Sequence, residues 1–222
     1  MSKLVWNQTG ERLYETGVEQ CALFPQDTTG KYPKGVAWEG ITNVTETPSG
    51  AEPTKLYAND SVYATLMSAE ELGGSIEAYT YPDEFAECDG SAAVAKGVKI
   101  GQQTRKAFGL AYKTLIGNDV VGTAYGYKLH IVYGAMASPS EKAHATVNDS
   151  PEAQTMSWEF STTPAAVTGH KPTASIEIDS TTADPTKLAA LEALIYGSED
   201  KDASLPTPDE IIALMGDEAV AG

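Results

Sequence analysis

The sequence predicts a mainly β protein built on antiparallel sheet, with two short helices close to its C-terminal end. Three observations predict it. Apolar residues recur with a period of two through most of the 222 residues, the spacing of half-buried strands. Clusters of Gly, Pro, Asn and Asp punctuate those runs, as turns between strands do. Helical spacing of apolar residues appears only after Asp184.

Strands are expected at about residues 18–24, 36–46, 75–81 and 106–116. In the last of these, Phe108, Leu110, Tyr112 and Ile116 share one face. The turn Ile116-Gly117-Asn118-Asp119 follows. Tyr127, Leu129, Ile131 and Tyr133 then line one face of the next strand, and Lys128, His130 and Val132 the other. Met156, Trp158 and Phe160 alternate with Thr155, Ser157, Glu159 and Ser161. Ala174, Ile176 and Ile178 alternate with Ser175, Glu177 and Asp179. One apolar and one polar face per strand is the pattern of an antiparallel sheet.

Residues 45–67 break the pattern. Pro48, Gly50 and Pro53 oppose both helix and central strand. Leu56, Tyr57, Val62, Tyr63 and Leu66 make the stretch too apolar for a plain linker. It reads as an extended arm that orders on a partner.

Asp184 is a good N-cap, Pro185 takes the first helical position, and Leu188, Leu191, Leu194 and Ile195 form a stripe that ends at Gly197. This helix, about 185–196, is expected to pack on the sheet. Residues 198–206 are polar and read as a mobile linker. Thr207-Pro208-Asp209-Glu210 is a capping box that opens a second helix through Ile211, Ile212, Leu214 and Met215. The division expected is one β domain over 1–197 and a flexible linker with a loosely attached helix over 198–222.

Composition narrows function. Thirty-one Asp and Glu against 15 Lys and Arg give a net charge of −16. Such a surface repels phosphates, because nucleic-acid affinity comes largely from basic side chains. The charge serves either plain solubility or the avoidance of sticking, including to a polyanion that slides past. The first residues hold no apolar core of a secretory signal, and no apolar run has the length of a membrane span. Cys21 and Cys88 form no CxxC. Reduced, buried thiols are the expected state, with one disulfide as the alternative.

Catalytic and metal templates are missing. His130, His144 and His170 lack a second ligand at metal spacing. The acidic cluster Asp83, Glu84, Glu87 and Asp89 lacks the spacing of a calcium loop and reads as a solvated turn. Glu70 and Glu71 would serve glycoside hydrolysis only if folding set two carboxylates across a cleft. No nucleophile motif, phosphate loop or dinucleotide fingerprint occurs. No enzyme, cofactor or metal site is expected. Tyrosine is the commonest aromatic, with 11 copies. Tyr57, Tyr63, Tyr79 and Tyr81 suit subunit contacts or ordinary sheet packing.

Several blocks carry a resemblance. They are Gly10-Glu11-Arg12-Leu13-Tyr14-Glu15-Thr16-Gly17-Val18, Lys34-Gly35-Val36-Ala37-Trp38-Glu39-Gly40 and Pro48-Ser49-Gly50-Ala51-Glu52-Pro53. They continue with Tyr81-Pro82-Asp83-Glu84-Phe85-Ala86-Glu87-Cys88-Asp89-Gly90, Gly101-Gln102-Gln103-Thr104-Arg105-Lys106 and Ser157-Trp158-Glu159-Phe160-Ser161-Thr162-Thr163-Pro164. Over residues 10–196 the chain resembles the major tail proteins, or tail tube proteins, of long-tailed phages and prophages of Gram-positive bacteria. The resemblance implies an antiparallel β-sandwich or barrel-like fold with a packed helix, similar to that of the type VI secretion tube protein. It implies hexameric rings stacked into a tube around a tape-measure protein and bounded by tail terminator and tail-tip proteins. Double-stranded DNA would pass through the lumen without specific binding. The place would be the virion tail, assembled in the host cytoplasm, with no membrane partner.

The resemblance carries no catalytic residues. It implies that the arm reaches the neighbouring ring, with Pro48, Glu52, Pro53, Leu56, Tyr57, Tyr63 and Leu66 as the contact residues. With the charge, it leads to an expected net-negative lumen, lined by a polar face of the inner strands. Other readings are a decoration or tail-tip adaptor protein, a glycan-binding β-sandwich, and last a carboxylate hydrolase. A glycan module needs exposed Trp and Tyr, whereas Trp38 and Trp158 lie in strand patterns and read as core.

Overall fold

The computed structural model describes residues 4–147, 149 and 153–216. Its architecture is mainly antiparallel β. Strands β1 (Tyr14–Pro25), β2 (Val36–Ala37), β3 (Ile41–Gly50), β6 (Glu70–Ala78), β9 (Phe108–Asn118), β10 (Gly122–Ala137), β11 (Met156–Thr162) and β12 (Ser175–Asp179) form one large sheet. Two separate hairpins interrupt it: β4 (Pro53–Ala58) with β5 (Ser61–Met67), and β7 (Ala92–Ala95) with β8 (Val98–Ile100). Three short helices complete the fold: α1 (Phe85–Cys88), α2 (Pro185–Ile195) and α3 (Pro208–Met215).

The large sheet runs β2-β1-β9-β10-β11-β6-β3, with β12 also paired to β10. Strand β10 is the pivot. One of its edges pairs with β9 from Gly122 to Ala135. The other pairs first with β12, over Lys128–Val132, and then with β11, over Ala135–Ala137. Gly134 sits at the change of partner with φ +60°, and a Cβ there would lie 2.2 Å from the Thr163 carbonyl oxygen. Only glycine fits that bend. The bend folds the sheet over, so that β1 and β3 come into contact.

Period-two alternation then fills two cores. The folded sheet encloses Leu23, Ile76, Phe108, Leu110, Val132, Trp158 and Phe160, together with Trp38 and Phe85. The opposite face of β1, β9 and β10 offers Ala22, Phe24, Ala111, Leu129, Ile131 and Tyr133. Leu188, Leu191 and Ile195 of α2 and Ile211 of α3 cover that face. Each of these buried aliphatic side chains contributes about 1.5–3 kcal/mol. Both faces of β9 and of the second half of β10 are therefore buried, which is why the alternation there is apolar on both sides. Lys113 reaches Glu192 of α2 at 2.7 Å and lies over the Tyr127 ring at 4.3 Å, tying helix to sheet.

Helix α2 forms as expected. The Asp184 side chain accepts from the Thr186 and Lys187 amides, Pro185 opens the helix, and Gly197 follows it with φ +81°.

Two expectations are corrected. The strand expected over 36–46 is two strands. Trp38 turns inward between them and its Nε1 donates to the Thr80 carbonyl at 2.8 Å, while Gly40 takes φ +80°. The segment expected as a mobile linker with a loose helix packs on the domain as far as residue 216. The Ser204 amide donates to Leu194 O and the Leu205 amide to Tyr32 O, the Tyr133 hydroxyl donates to Pro206 O, and Leu205 and Ile211 are buried in the second core. The polar run 198–203 hid a docking residue just beyond it. Residues 217–222 of the expected tail lie outside the described residues.

The capping box of α3 is present, with Thr207 and Glu210 each satisfying the other's amide. Because α3 closes the second core, Thr207→Ala is expected to cost about 1 kcal/mol and to lower the thermal midpoint by about 2–4 °C. An unchanged midpoint would show that α3 is uncoupled from global unfolding.

Candidate assembly surface

The β4–β5 hairpin leaves the sheet where the β3–β6 ladder ends, at the pair Gly50↔Glu70. The Ala51 amide donates to Ala69 O and the Glu52 amide to the Ser68 hydroxyl, which continues the ladder into the hairpin base. At the tip, Asn59 and Asp60 take φ +51° and +56°, the two left-handed residues of a tight hairpin turn. Between base and tip, Leu56, Tyr57, Val62, Tyr63, Leu66 and Met67 are 42–77% exposed. No residue of β4 or β5 is buried. A lone two-stranded hairpin is marginal in water, and an exposed apolar patch of this kind marks an interaction surface.

The structure places the expected arm residues unevenly. Pro53, Leu56, Tyr57, Tyr63 and Leu66 share the hairpin. Glu52 sits in its base, outside any strand. Pro48 does not belong to an arm: residues 45–50 are strand β3, with Pro48 opposite Leu72. Among the described residues β3 pairs only with β6, so it is an edge, where proline is tolerated. The stretch read as irregular is thus an edge strand followed by a hairpin. Prolines and the β-bulge between Leu56 and Tyr57 blur the period-two signal.

Sequence reasoning missed the second hairpin. Val94, Val98 and Ile100 of β7–β8 are exposed; Lys96 stands in its turn and Lys99 in β8. Its small residues, Ala92, Ala93 and Ala95, give almost no strand signal. The sheet has a second open edge at β12, which pairs only with β10 among the described residues.

Glu15, Thr114, Lys128, His130 and Glu177 form one paired polar group. On the face of the sheet away from α2, the Thr114 hydroxyl donates to Glu15 at 2.6 Å, and Lys128 lies 3.0 Å from Glu15 and 3.1 Å from Glu177. The His130 ring stacks on Tyr112 with centroids 4.7 Å apart. Its Nε2 is 2.9 Å from the Thr114 oxygen. Since that hydroxyl's one proton goes to Glu15, His130 Nε2–H is the donor. The Thr114 hydroxyl, aided by Lys128, holds the Glu15 carboxyl below the usual carboxylate range. Burial pushes the Tyr112 hydroxyl up, and it donates to Glu46 at 2.8 Å.

The acidic cluster frames α1 and is matched by cations. Asp83 pairs with Lys99, Glu87 with Lys106, and Asp89 with Lys142 and Arg105. Among the described residues no three His, Cys, Asp or Glu side chains come together in a way that could hold a metal ion. Glu70 and Glu71 are neighbours on a strand and so point to opposite faces. His144 and His170 are exposed. Cys21 and Cys88 are free and buried in the first core. Burial raises both thiols, Cys88 to about 12, which leaves little reactive thiolate. Trp38 and Trp158 are buried together, 5.7 Å apart, and offer no sugar platform. No helix among the described residues is long and apolar enough to cross a membrane.

No family model matches the chain, and no curated protein matches it.

Proposed function

We propose that this chain is the structural subunit of a phage tail tube, assembling by itself into stacked rings through which DNA leaves the virion. The observation that carries the proposal is the β4–β5 hairpin: six large apolar side chains held out in solvent on a formed but unsupported ribbon. Such a surface costs solubility unless a partner covers it. Two further features support the proposal. The sheet leaves β3 and β12 open as edges, the usual sites for strand addition. Two different contact surfaces on one chain give head-to-tail contacts, which close into rings or continue as filaments.

In this reading the polar face of β1, β9, β10 and β12, opposite the helices, lines the lumen. It carries Glu15 and Glu177 around Lys128. An acidic wall does not bind phosphates, so DNA slides past it. The partners are other copies of the chain, a tape-measure protein in the lumen, and the terminator and tip proteins at the tube ends.

Electron microscopy of the purified protein tests the proposal. Rings and tubes are expected, and a reconstruction should place Glu15 and Glu177 on a net-negative lumen. A protein that stays monomeric at high concentration, with or without a tape-measure protein, would overturn it. Tubes with a strongly basic lumen would overturn the assignment of that face.

A further inference from the structure

We infer that the β4–β5 hairpin of one copy docks on the β7–β8 hairpin of the next copy along the tube. The inference rests on the tube reading and names the surface that receives the hairpin. Topology supplies the first argument. Strand β6 begins beside the β4–β5 hairpin at Glu70 and ends at Ala78, and just beyond that end Lys99 of β8 pairs with Asp83 and lies over the Tyr81 ring. Nine residues of strand set the two hairpins at opposite ends of the sheet, about 25–30 Å apart along it. A head-to-tail stack brings one end of each subunit against the other end of the next. Two further exposed apolar side chains, Val120 and Val121, lie in the β9–β10 turn beside Gly10, ahead of β1. That is the same end as β4–β5, so they cannot face that hairpin in such a stack.

Charge supplies the second argument. The hairpin segment 51–69 carries Glu52 and Asp60 against Lys55, and Glu70 and Glu71 follow at the start of β6. Residues 90–106 hold four cations, Lys96, Lys99, Arg105 and Lys106, and no acid. Lys99, Arg105 and Lys106 are balanced by Asp83, Asp89 and Glu87 at the base of that region, and Lys96 stands at the tip beside Gly97. On a chain of −16, most contacts between copies bring acid to acid. At the β7–β8 tip, Lys96 stands where Glu52 and Asp60 of an apolar hairpin meet it, beside apolar side chains. Val94, Val98 and Ile100 supply the apolar side chains. Complementary charge selects the orientation, and burial of Tyr57, Tyr63 and Leu66 holds it.

The test uses the full chain in two arms. In the first, Lys96→Glu with Lys99→Glu is expected to cut tube yield by about tenfold or more, since like charges facing each other across an interface are strongly unfavourable. Adding Glu52→Lys and Asp60→Lys should restore tubes. In the second arm, Tyr57→Cys with Val98→Cys should give a ladder of disulfide-linked multimers once tubes form. If the charge-reversed protein is unstable in a thermal scan, the cross-link arm decides. Tubes that form equally well from the Lys96→Glu, Lys99→Glu protein and give no cross-linked ladder would overturn this contact and leave the tube reading standing. A native chain that never forms rings or tubes would overturn the tube reading, and the contact with it.

Discussion

Replacing residues 51–69 with a two-residue turn is expected to leave a folded subunit that no longer builds tubes. The ladder between β3 and β6 is complete at Gly50↔Glu70, so an Asn-Gly turn can close it without moving either strand. What is removed buries little: β4 and β5 have no buried residue. The thermal midpoint should therefore stay within a few degrees of the native value, because little buried apolar area is lost. Assembly should fail completely, because each of the exposed large side chains is worth about 1.5–3 kcal/mol when covered. Light scattering and microscopy read assembly, and a thermal scan reads folding. The position of the cut matters. Removing 49–59 would take one strand of the hairpin and the end of β3 and leave β5 unpaired, so failure would report misfolding. The triple substitution Tyr57→Ser, Tyr63→Ser, Leu66→Ser keeps the backbone and should give the same loss of tubes. A deletion that unfolds the subunit, or a hairpin-free subunit that still makes tubes, would end the assignment of this hairpin to assembly.

Much of the fold was legible because its elements obey one simple period each. In β10 and β11 the alternating residues fall on the expected faces: Leu129, Ile131 and Tyr133 under the helices, Val132, Trp158 and Phe160 in the first core. Helix α2 was legible from its cap, proline and stripe, all local signals. Failures occurred where the physics is not local. Leu205 looks like part of a polar tail until Tyr32, far away in sequence, supplies its strand partner. The hairpin was legible as an interaction segment through its apolar content, yet its folded form was not, because Pro53 and the bulge at Tyr57 mask the pairing. The β7–β8 hairpin was not legible at all, since alanines carry little strand preference. Head-to-tail complementarity between the two hairpins depends on the direction of β6, which only the pairing reveals.

Phe85→Ala is expected to be the most damaging single substitution, although Phe85 stands in a run that reads as an acidic turn. Helix α1 has only four residues, and Phe85 is fully buried. Four rings surround it: Trp38 at 4.5 Å, Trp158 at 5.2 Å, Phe108 at 5.6 Å and Tyr81 at 6.1 Å between centroids. These come from four different parts of the chain, so Phe85 closes the first core where the sheet folds over. Truncation removes the transfer energy of the ring and leaves a void that rigid neighbours cannot fill, at about 3–5 kcal/mol. Native stabilities are only about 5–15 kcal/mol, and the thermal midpoint should fall by about 6–20 °C. The carboxylates around it should behave oppositely. Asp83→Asn and Glu87→Gln break exposed pairs with Lys99 and Lys106, which water and salt screen, so both variants should unfold close to the native protein. Urea unfolding of the three variants gives the comparison. A loss below about 1 kcal/mol for Phe85→Ala, or a greater loss for either carboxylate variant than for Phe85→Ala, would mean that α1 is held by its charges and that the aromatic cluster is incidental.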